Sequence, residues 1–396
     1  MNNKALLNLK IVDLTHYIAG PYCTKLMAGF GANVIKVERP KTGDNLRGIG
    51  PFFKNEQGVE RSIPFLWLNT GKKSITLDIK SEKGKEIFKR LVKDADVLIE
   101  NFSPRVMPGL GLNYEILRGI NPRLIMASIS NFGQTGPYKD YKADEIEAQA
   151  VSGIMYMTGD TGKPPLASGS AICQYSAGLH AYTATLLALF QRGTTGQGQY
   201  IDIPIMECGL EHIELTLSNF LHLGKNAKRS THIMAPWDLY PCQDGYAVVI
   251  AAPVRHWLKG AKIFQEPRLF EDKYKYANGR VQCRKEVESL IKPWLSTQKK
   301  KDIFRAGQEH KLAFGYLANF HEVLESPQHQ SRQFFVEVDH PVVGKHKYCG
   351  SPFKMSKTPW EDIRSPLLGE HNHMVYSEFL GYSRDEIQNL QKEGIL

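Results

Sequence analysis

Short apolar segments alternate with amphipathic ones along the first third of the chain. Residues 20–29 begin with Gly-Pro and end at a glycine, as a short helix does. Residues 82–94 repeat apolar side chains at helical spacing, with charged residues between them. Five β-branched or apolar runs predict strands, at residues 9–14, 33–38, 74–79, 96–99 and 123–130. Strands that alternate with helices indicate a parallel sheet in a doubly wound α/β domain.

The pattern changes in the second part of the chain. Residues 175–192 are apolar on nearly every side, which predicts a long buried helix. Residues 223–236 form a loop rich in Lys, Arg and Gly that links to a second domain. Further predicted elements are a strand at 200–205, a helix at 208–223, a strand at 245–252, a basic helical region at 282–315 and two short helices in the tail. We expect a large domain at residues 1–224 and 325–396 and a small one at 225–324.

Charge narrows the choice of partner. The 396 residues have a formal net charge of +9, with 50 Lys and Arg against 41 Asp and Glu. Such an excess favours nucleic acid, a membrane surface or a phosphorylated small molecule. The lysines at 299–301 lack the interleaved aromatic residues of a nucleic-acid site, so they are expected to form a solvated helix face. We therefore expect no nucleic-acid partner.

Cysteine spacing and hydropathy indicate the compartment. The six cysteines form no C-x-x-C pair, which favours a reducing compartment over a disulfide framework or a zinc module. The N-terminal residues have no apolar signal segment, and the longest mainly apolar stretch, at 181–190, is too short to span a bilayer. The thirteen histidines show no metal-ligand spacing. The prediction is a cytoplasmic protein with no membrane partner and no bound metal.

Candidate ligand contacts lie where predicted strands end. The junction LTHYIAGP at residues 14–21 follows the first strand, at the edge where open α/β sheets bind ligands. It is not a G-x-G-x-x-G loop, so a nicotinamide cofactor is not expected. Arg39, Lys72 and Lys73 lie at strand or loop ends. Each could be an ordinary surface charge, but together they could form a phosphate-binding rim.

Two further segments carry candidate chemistry. Asp144, Glu145 and Glu147 begin a predicted helix, where acidic residues are favoured by the helix dipole. That structural role is expected for at least two of them, and one carboxylate could serve as a general base. Cys173 and Gln174 lie in a Gly/Ser/Ala-rich turn before the long helix. Cys173 is expected to be a small buried apolar residue and not a nucleophile.

Several long stretches carry a family resemblance. They are LKIVDLTHYIAGPYCTKLMAGFGANVIKVERPKTGD, the segment from LNTGKKSITLDIK to VMPGLGL, NPRLIMASISNFGQTGPY, ALFQRGTTGQGQYIDIPIMECGL and SPLLGEHNHMVYSEFLGYS. Together they resemble class III CoA-transferases, the family of formyl-CoA transferase and carnitine CoA-transferase that includes α-methylacyl-CoA racemase. The resemblance implies a Rossmann-like large domain, a smaller α+β domain and an interlocked homodimer. It also implies acyl-CoA and a carboxylic acid as substrates, with no permanently bound cofactor.

The resemblance places the CoA-binding residues on the βα loops of the large domain. His16, Tyr17 and Ala19 are implied near the nucleotide, and Asn101 with Phe102 beside the pantetheine arm. The remaining implied contacts are Arg39 at the phosphates, Leu68, Asn69 and Lys72 at the adenine and phosphates, Lys142 as a further contact, and Arg105 in place of the family's poorly matched basic residue.

The catalytic position departs from the family pattern. Transferases of this family use an aspartate that attacks the acyl-CoA, forming a mixed anhydride and then an enzyme thioester. Gln174 occupies that position, and a carboxamide cannot form those intermediates. The racemase His–Asp pair is also absent, because Asp144 and Gln174 stand in its place, while Glu145 matches an acidic residue beside the transferase site.

Three interpretations of this departure stay open. The first is an altered acyl-CoA reaction that uses Asp144 or Glu145 as the base, with Gln174 donating a hydrogen bond to the thioester carbonyl. The second is a homologue that binds CoA esters without catalysis. The third is a transferase disabled by the glutamine.

Overall fold

Buried β-branched residues form the centre of the first of two structural units. The computed structural model describes residues 4–227, 229 and 234–396. The first unit contains Met1–Arg229 and Gln333–Leu396, and the second contains Ser230–Arg332. Residues 228 and 230–233 of the predicted linking loop lie outside the described residues.

A six-stranded parallel sheet organises the first unit. Its strands are β1 Lys10–Asp13, β2 Asn33–Glu38, β3 Lys73–Thr76, β4 Val97–Glu100, β5 Ile125–Ser130 and β6 Tyr200–Pro204. Their order is β3-β2-β1-β4-β5-β6, and every neighbouring pair is parallel. The predicted parallel α/β sheet is therefore confirmed, with strand bounds that differ from the prediction by a few residues at most.

Helices cover both faces of this sheet. They are α1 Ala19–Gly29, α2 Ile63–Leu68, α3 Glu82–Lys93, α4 Val106–Gly109, α5 Tyr114–Ile120, α6 Glu145–Val151, α7 Ile154–Met157, α8 Ile172–Thr195, α9 Ile205–Leu210 and α10 Glu214–Leu223. Val12 and Leu98 pack in one core with α3 and α5, whereas Ile11 and Val97 pack in the other with α1 and α8. Because successive side chains enter opposite cores, every residue of the central strands β4 and β5 is buried.

The long helix α8 packs closely on α1. A Cβ atom at Gly178 would lie 2.5 Å from the carbonyl oxygen of Ala19, so glycine permits this approach. The other side of α8 is open in the single chain, where Leu187 is 66% and Phe190 83% exposed. The expectation that this helix is buried on every side is therefore wrong for one chain. The predicted helix at 208–223 is divided between α9 and α10 by a short 3₁₀ turn.

The second unit is a small α+β structure. Its elements are β7 Trp237–Cys242, β8 Gly245–Ile250, α11 Val254–Phe264, α12 Asp272–Lys275, α13 Ala277–Gln282, α14 Arg284–Thr297, α15 Lys300–Glu309, β9 Gly315–Tyr316, α16 Phe320–Leu324 and α17 Pro327–Ser331. Its strands form an antiparallel sheet in the order β7-β8-β9. Lys300 is buried, and its Nζ lies 2.6 Å from Glu322 Oε2. The expectation of a wholly solvated face at 299–301 is therefore wrong for Lys300, because a carboxylate pairs with it.

The C-terminal segment completes the first unit. It forms β10 Phe335–His340, β11 Gly344–Cys349, a π-helical turn at Met374–Phe379 and α18 Arg384–Lys392. The Tyr376 hydroxyl donates to the Thr76 carbonyl oxygen at 2.6 Å, and Asp78 N donates to the Ile395 carbonyl oxygen at 2.7 Å. The tail therefore packs against the end of β3. Among the described residues, no helix is both long enough and apolar enough to cross a membrane.

Buried ion pairs join the ends of β1 and β2 to neighbouring segments. The three pairs are Lys72–Asp13 at 3.0 Å, Lys36–Asp44 at 2.8 Å and Arg47–Glu38 at 2.7 Å, and all six side chains are inaccessible to solvent. Burial alone would raise the pKa of Asp13, but the positive charges of Lys36 and Lys72 outweigh it and hold that pKa well below its ordinary value. The folded state therefore favours the ionised form of Asp13.

We expect Asp13→Asn to lower the free energy of unfolding by about 3–5 kcal/mol at pH 7, since it leaves buried ammonium groups without their carboxylate. Urea denaturation followed by circular dichroism measures this change. Because the folded pKa of Asp13 is depressed, the native protein should lose this contribution as pH falls below about 4. Glu86→Gln on the solvent face of α3 is the matched control and should leave the midpoint unchanged.

Candidate active site

The loops after β1 and β4 are tied together by one asparagine. Asn101 Oδ1 accepts a hydrogen bond from His16 N at 2.8 Å, and Asn101 Nδ2 donates to the His16 carbonyl oxygen at 2.7 Å. The two strands are parallel neighbours, so the residues that follow them meet at the same sheet edge. Tyr17 then adopts a left-handed backbone with φ of 65°. The two hydrogen bonds of Asn101 thus hold the β1–α1 loop in a fixed position beside the loop after β4.

A first cavity, called the Arg39 cavity, opens beside this loop with a volume of about 360 Å³. Apolar side chains form much of its wall, among them Leu14, Val37, Leu77, Ile79, Val106 and Leu110. Cationic side chains at Arg39, Lys41 and Lys80 also line it. An apolar cleft with several positive charges can hold a flat ring together with an anionic group.

A second cavity, called the Gln174 cavity, shares Phe102 with the first. Its volume is about 430 Å³. It brings together residues that are distant in sequence: Tyr17, Asn101, Phe102, Lys139, Tyr141, Asp144 and Gln174. The ring of Phe102 lies 5.7 Å from the ring of His16, which lines the Arg39 cavity. A single elongated molecule could therefore occupy both.

Gln174 lies in the first turn of α8, and its side chain meets Asp144. Gln174 Nε2 donates to Asp144 Oδ1 at 3.4 Å. Asp144 is also the N-cap of α6, where it forms a capping box with Glu147. The structural role expected for two of the three acidic residues is confirmed for Asp144 and Glu147. Asp144 is nevertheless exposed to the cavity, so it retains access to a ligand.

Glu145 lies at the start of α6, and its side chain caps the N-terminus of the long helix α8. Its Oε1 accepts from Cys173 N at 2.9 Å, and its Oε2 accepts from Gln174 N at 3.1 Å. The N-cap residue of α8, Ala171, has no side chain that could satisfy these amides. Gln149 Nε2 also donates to Glu145 Oε1 at 2.8 Å. The carboxylate is therefore engaged in holding α8, which sequence spacing could not indicate because its partners lie almost thirty residues away.

Four residues implied as CoA contacts lie in the protein interior. Ala19, Leu68, Asn69 and Lys72 are all at most 3% exposed. Lys72 Nζ donates to Asn69 Oδ1 at 2.8 Å and pairs with Asp13, and burial lowers the pKa of Lys72 to about 8. The structure does not place these residues on the Arg39 or the Gln174 cavity.

The proposed rim of Arg39, Lys72 and Lys73 is not formed. The register pairs Lys73 with Ile35, so Arg39 lies beyond the carboxyl end of β2, whereas Lys72 precedes β3. Lys73 Nζ instead donates to Asn33 Oδ1 at 2.7 Å. Lys80 and Lys41 lie on the cavity in place of the two lysines. The rule that ligands bind beyond the carboxyl ends of strands could have found Lys80, since it follows the predicted strand at 74–79.

Arg105 and Lys142 have partners near the cavities without lining them. Arg105 forms a two-point contact with Asp140, with distances of 2.8 and 2.7 Å. Lys142 Nζ donates to Ser103 Oγ at 3.2 Å. Cys173 is fully buried, and burial raises the pKa of its thiol to about 12, which keeps the thiol protonated at neutral pH.

We expect Glu145→Ala to lower the free energy of unfolding by about 1–3 kcal/mol, because it removes a charged acceptor from two amides at the start of α8. Thermal and urea unfolding measure this loss. Glu145→Gln keeps one acceptor and should cost less. Glu207→Ala, which removes an exposed first-turn glutamate from α9, is the control; an equal loss in that variant would contradict the capping role.

Comparisons with known proteins agree with this geometry. The family model described as CoA-transferase family III matches residues 6–372. The formyl-CoA:oxalate CoA-transferase of Streptomyces avermitilis is 34% identical, with 99% of this chain and 100% of that protein covered. The human succinyl-CoA:glutarate CoA-transferase is 35% identical, covering 100% of this chain and 91% of the human protein.

A solved structure supports the same assignment. The crystal structure of a CAIB/BAIF family protein from Brucella suis superimposes with a TM-score of 0.86 and 32% sequence identity. The match covers 95% of this chain and 99% of that one. Sequence and fold therefore agree over nearly the whole length, and the chain belongs to CoA-transferase family III.

Proposed function

We propose that this protein binds an acyl-CoA thioester across the Arg39 and Gln174 cavities and transfers CoA between an acyl-CoA and a carboxylic acid. The observation that carries the proposal is the pair of cavities that share Phe102, one apolar with cationic residues and the other lined by Gln174, which the family resemblance implies at the catalytic position. CoA is then a substrate, and no permanently bound cofactor is needed.

The nucleotide end of CoA suits the Arg39 cavity. Its apolar wall offers contact to the adenine ring, and Arg39, Lys41 and Lys80 offer charge-assisted donors to the phosphates. The pantetheine arm then passes His16, on the Arg39 cavity, and Phe102, which lines both cavities. This path leads the thioester to Gln174 and Asp144.

The carboxylic acid suits the Gln174 cavity, where Lys139 supplies a positive charge. Relatives named as formyl-CoA:oxalate and succinyl-CoA:glutarate transferases support short carboxylates as candidate substrates. The volume of about 430 Å³ accommodates an acid of that size beside the thioester.

A second candidate reaction rests on the contact between Gln174 and Asp144. Gln174 cannot act as the carboxylate nucleophile, whereas the Asp144 carboxylate lies 3.4 Å from the Gln174 amide and faces the same cavity. In this alternative, Asp144 removes the proton α to the thioester carbonyl, and the Gln174 amide donates a hydrogen bond to the carbonyl oxygen. Glu145 is the weaker base candidate, because both its oxygens hold α8.

We expect Gln174→Asp to raise CoA exchange between succinyl-CoA or formyl-CoA and oxalate or glutarate, because it introduces the nucleophile of the transfer route. Asp144 lies close enough to raise the pKa of the new carboxylate, so exchange should increase with pH. Chromatography of the CoA esters measures the exchange. Gln174→Asn is the matched control and should not gain activity.

The remaining outcomes separate the three interpretations. Exchange by the native protein would show that Gln174 does not block transfer. Loss of α-deuterium from an acyl-CoA without exchange, reduced about 10²–10⁴-fold by Asp144→Asn, would favour the second candidate reaction. Saturable CoA binding without either reaction would identify a protein that only binds CoA esters. Absence of CoA binding would contradict the proposal as a whole.

We further propose that two copies of the chain form a homodimer. Apolar side chains project from α8 and α10 into solvent, with Phe190 83% and Leu215 79% exposed. Clustered exposed apolar side chains favour a protein–protein contact. A twofold dimer would cover these side chains with the same face of a second copy. A cytoplasmic location is proposed with it, supported by six cysteines that are all unpaired.

Analytical ultracentrifugation should give the mass of two chains. Replacing Leu187 and Phe190 by glutamate should shift the protein toward one chain, since it places charges in the apolar face. Phe320→Glu, which changes an equally exposed aromatic residue on α16, is the control. A native protein that sediments as a single chain would refute the dimer.

A further inference from the structure

A third cavity, called the Glu100 cavity, is lined by the last residue of β4, by residues within β5 and by the first residue of β6, and has a volume of about 310 Å³. Ser103 and Pro104 border it on one side and the Gln174 cavity on the other. No step of the proposed CoA reaction uses it. Its wall also contains Glu100, Tyr114, Ser128, Gln134 and Tyr200.

The wall of this cavity is acidic and aromatic. Glu100 is 3% exposed, and the rings of Tyr114 and Tyr200 lie side by side with centroids 5.5 Å apart. Glu115 adds a second carboxylate, and none of the described residues that line the cavity is a lysine or an arginine. A buried carboxylate beside aromatic faces is an environment that attracts an organic cation.

One hydrogen-bonding group in the wall is also left unsatisfied. Gln134 Nε2 is buried and finds no hydrogen-bond partner of suitable geometry among the described residues. Buried polar groups are normally paired, so an unpartnered amide in the wall of a cavity favours a polar ligand.

Glu100 has no cationic partner among the residues that the structure describes. Asp202 and the Tyr200 hydroxyl lie on β6, Ser128 lies on β5, and the Phe102 amide donates to Glu100 Oε2 at 2.8 Å. Burial raises the pKa of Glu100 to about 7, although the nearby Ser128 hydroxyl and the Phe102 amide partly oppose this effect. A cation in the cavity would stabilise the ionised form.

We propose that the Glu100 cavity is a binding site for a small organic ammonium ion that also carries a hydroxyl or carbonyl oxygen. The ammonium group contacts the Glu100 carboxylate and the faces of Tyr114 and Tyr200, while the oxygen accepts a hydrogen bond from Gln134 Nε2. The volume suits a ligand of choline size, and the proposal stands independently of the CoA reaction.

Choline and its uncharged isostere 3,3-dimethylbutan-1-ol test this site. Isothermal titration calorimetry on the full chain should show choline binding at least about tenfold tighter than the alcohol, because only choline has the charge that the carboxylate and rings attract. The affinity should rise about tenfold between pH 6 and pH 8, as Glu100 ionises. Equal affinities for the two probes, or no choline binding, would overturn the proposal.

Glu100→Gln removes the negative charge of the carboxylate but keeps a hydrogen-bond acceptor, because the glutamine amide oxygen can still accept from the Phe102 amide. This variant should lose choline affinity about tenfold and lose the pH dependence, whereas Glu86→Gln on α3 should behave like the native protein. Unchanged choline affinity in Glu100→Gln would refute the site.

The number of protons released on choline binding tests the Glu100 site with the native protein alone. Native protein titrated with choline at pH 7 in two buffers of different ionisation enthalpy should release about half a proton per choline bound. Choline binding without proton release would exclude Glu100 as the partner. CoA binding should be measured on the same preparation. A protein that binds CoA but not choline would contradict only the ammonium site, and one that binds choline but not CoA would contradict only the proposed CoA reaction.

Discussion

The buried ion pairs at the carboxyl ends of β1 and β2 are the constraint on which the candidate site depends. Asp13 is held by Lys72, and Lys36 holds Asp44, which in turn contacts His16 Nδ1 at 3.3 Å. These pairs attach the β1–α1 loop and the turn after β2 to the sheet itself. Buried charges tolerate little displacement, because separation leaves an unpaired ion in a medium of low polarity. The walls of the Arg39 cavity are therefore defined by the core.

The side chains of Asn101 and Glu145 position the backbone segments that border the Gln174 cavity. Asn101 joins the loops after β1 and β4, and Glu145 joins the start of α6 to the start of α8. Each acts through backbone amides, so each determines the course of a chain segment and not only the position of one side chain. The position held by Gln174 follows from both, since it lies on the first turn of α8 and borders the loop that Asn101 holds. A neutral residue there avoids placing another negative charge beside Asp144 and Glu145.

The elements were more predictable than the ligand contacts. Strands and helices follow from local repeats of apolar residues, and the predicted sheet agrees with the structure because those repeats are unambiguous in β2, α3 and α8. The structure departs from the predicted phosphate-binding rim where that prediction depends on strand register. Lys72 and Arg39 both lie at strand ends in the sequence, yet the register places them at opposite ends of their strands. Lys72 forms an ion pair with Asp13 instead. Lys80 takes a position on the cavity for the same reason.

The sequence by itself determined the alternating α/β pattern and the family resemblance, and it predicts that Gln174 stands where the family has a nucleophilic aspartate. Each of these depends on residue identity or on spacing within one segment. Only the tertiary structure decided that Glu145 caps α8, that Asp144 meets Gln174, and that Glu100 faces a cavity without a cation among the described wall residues. These facts arise from contacts between segments that are distant in the chain, and the physical partners of a carboxylate are not encoded by its neighbours in sequence.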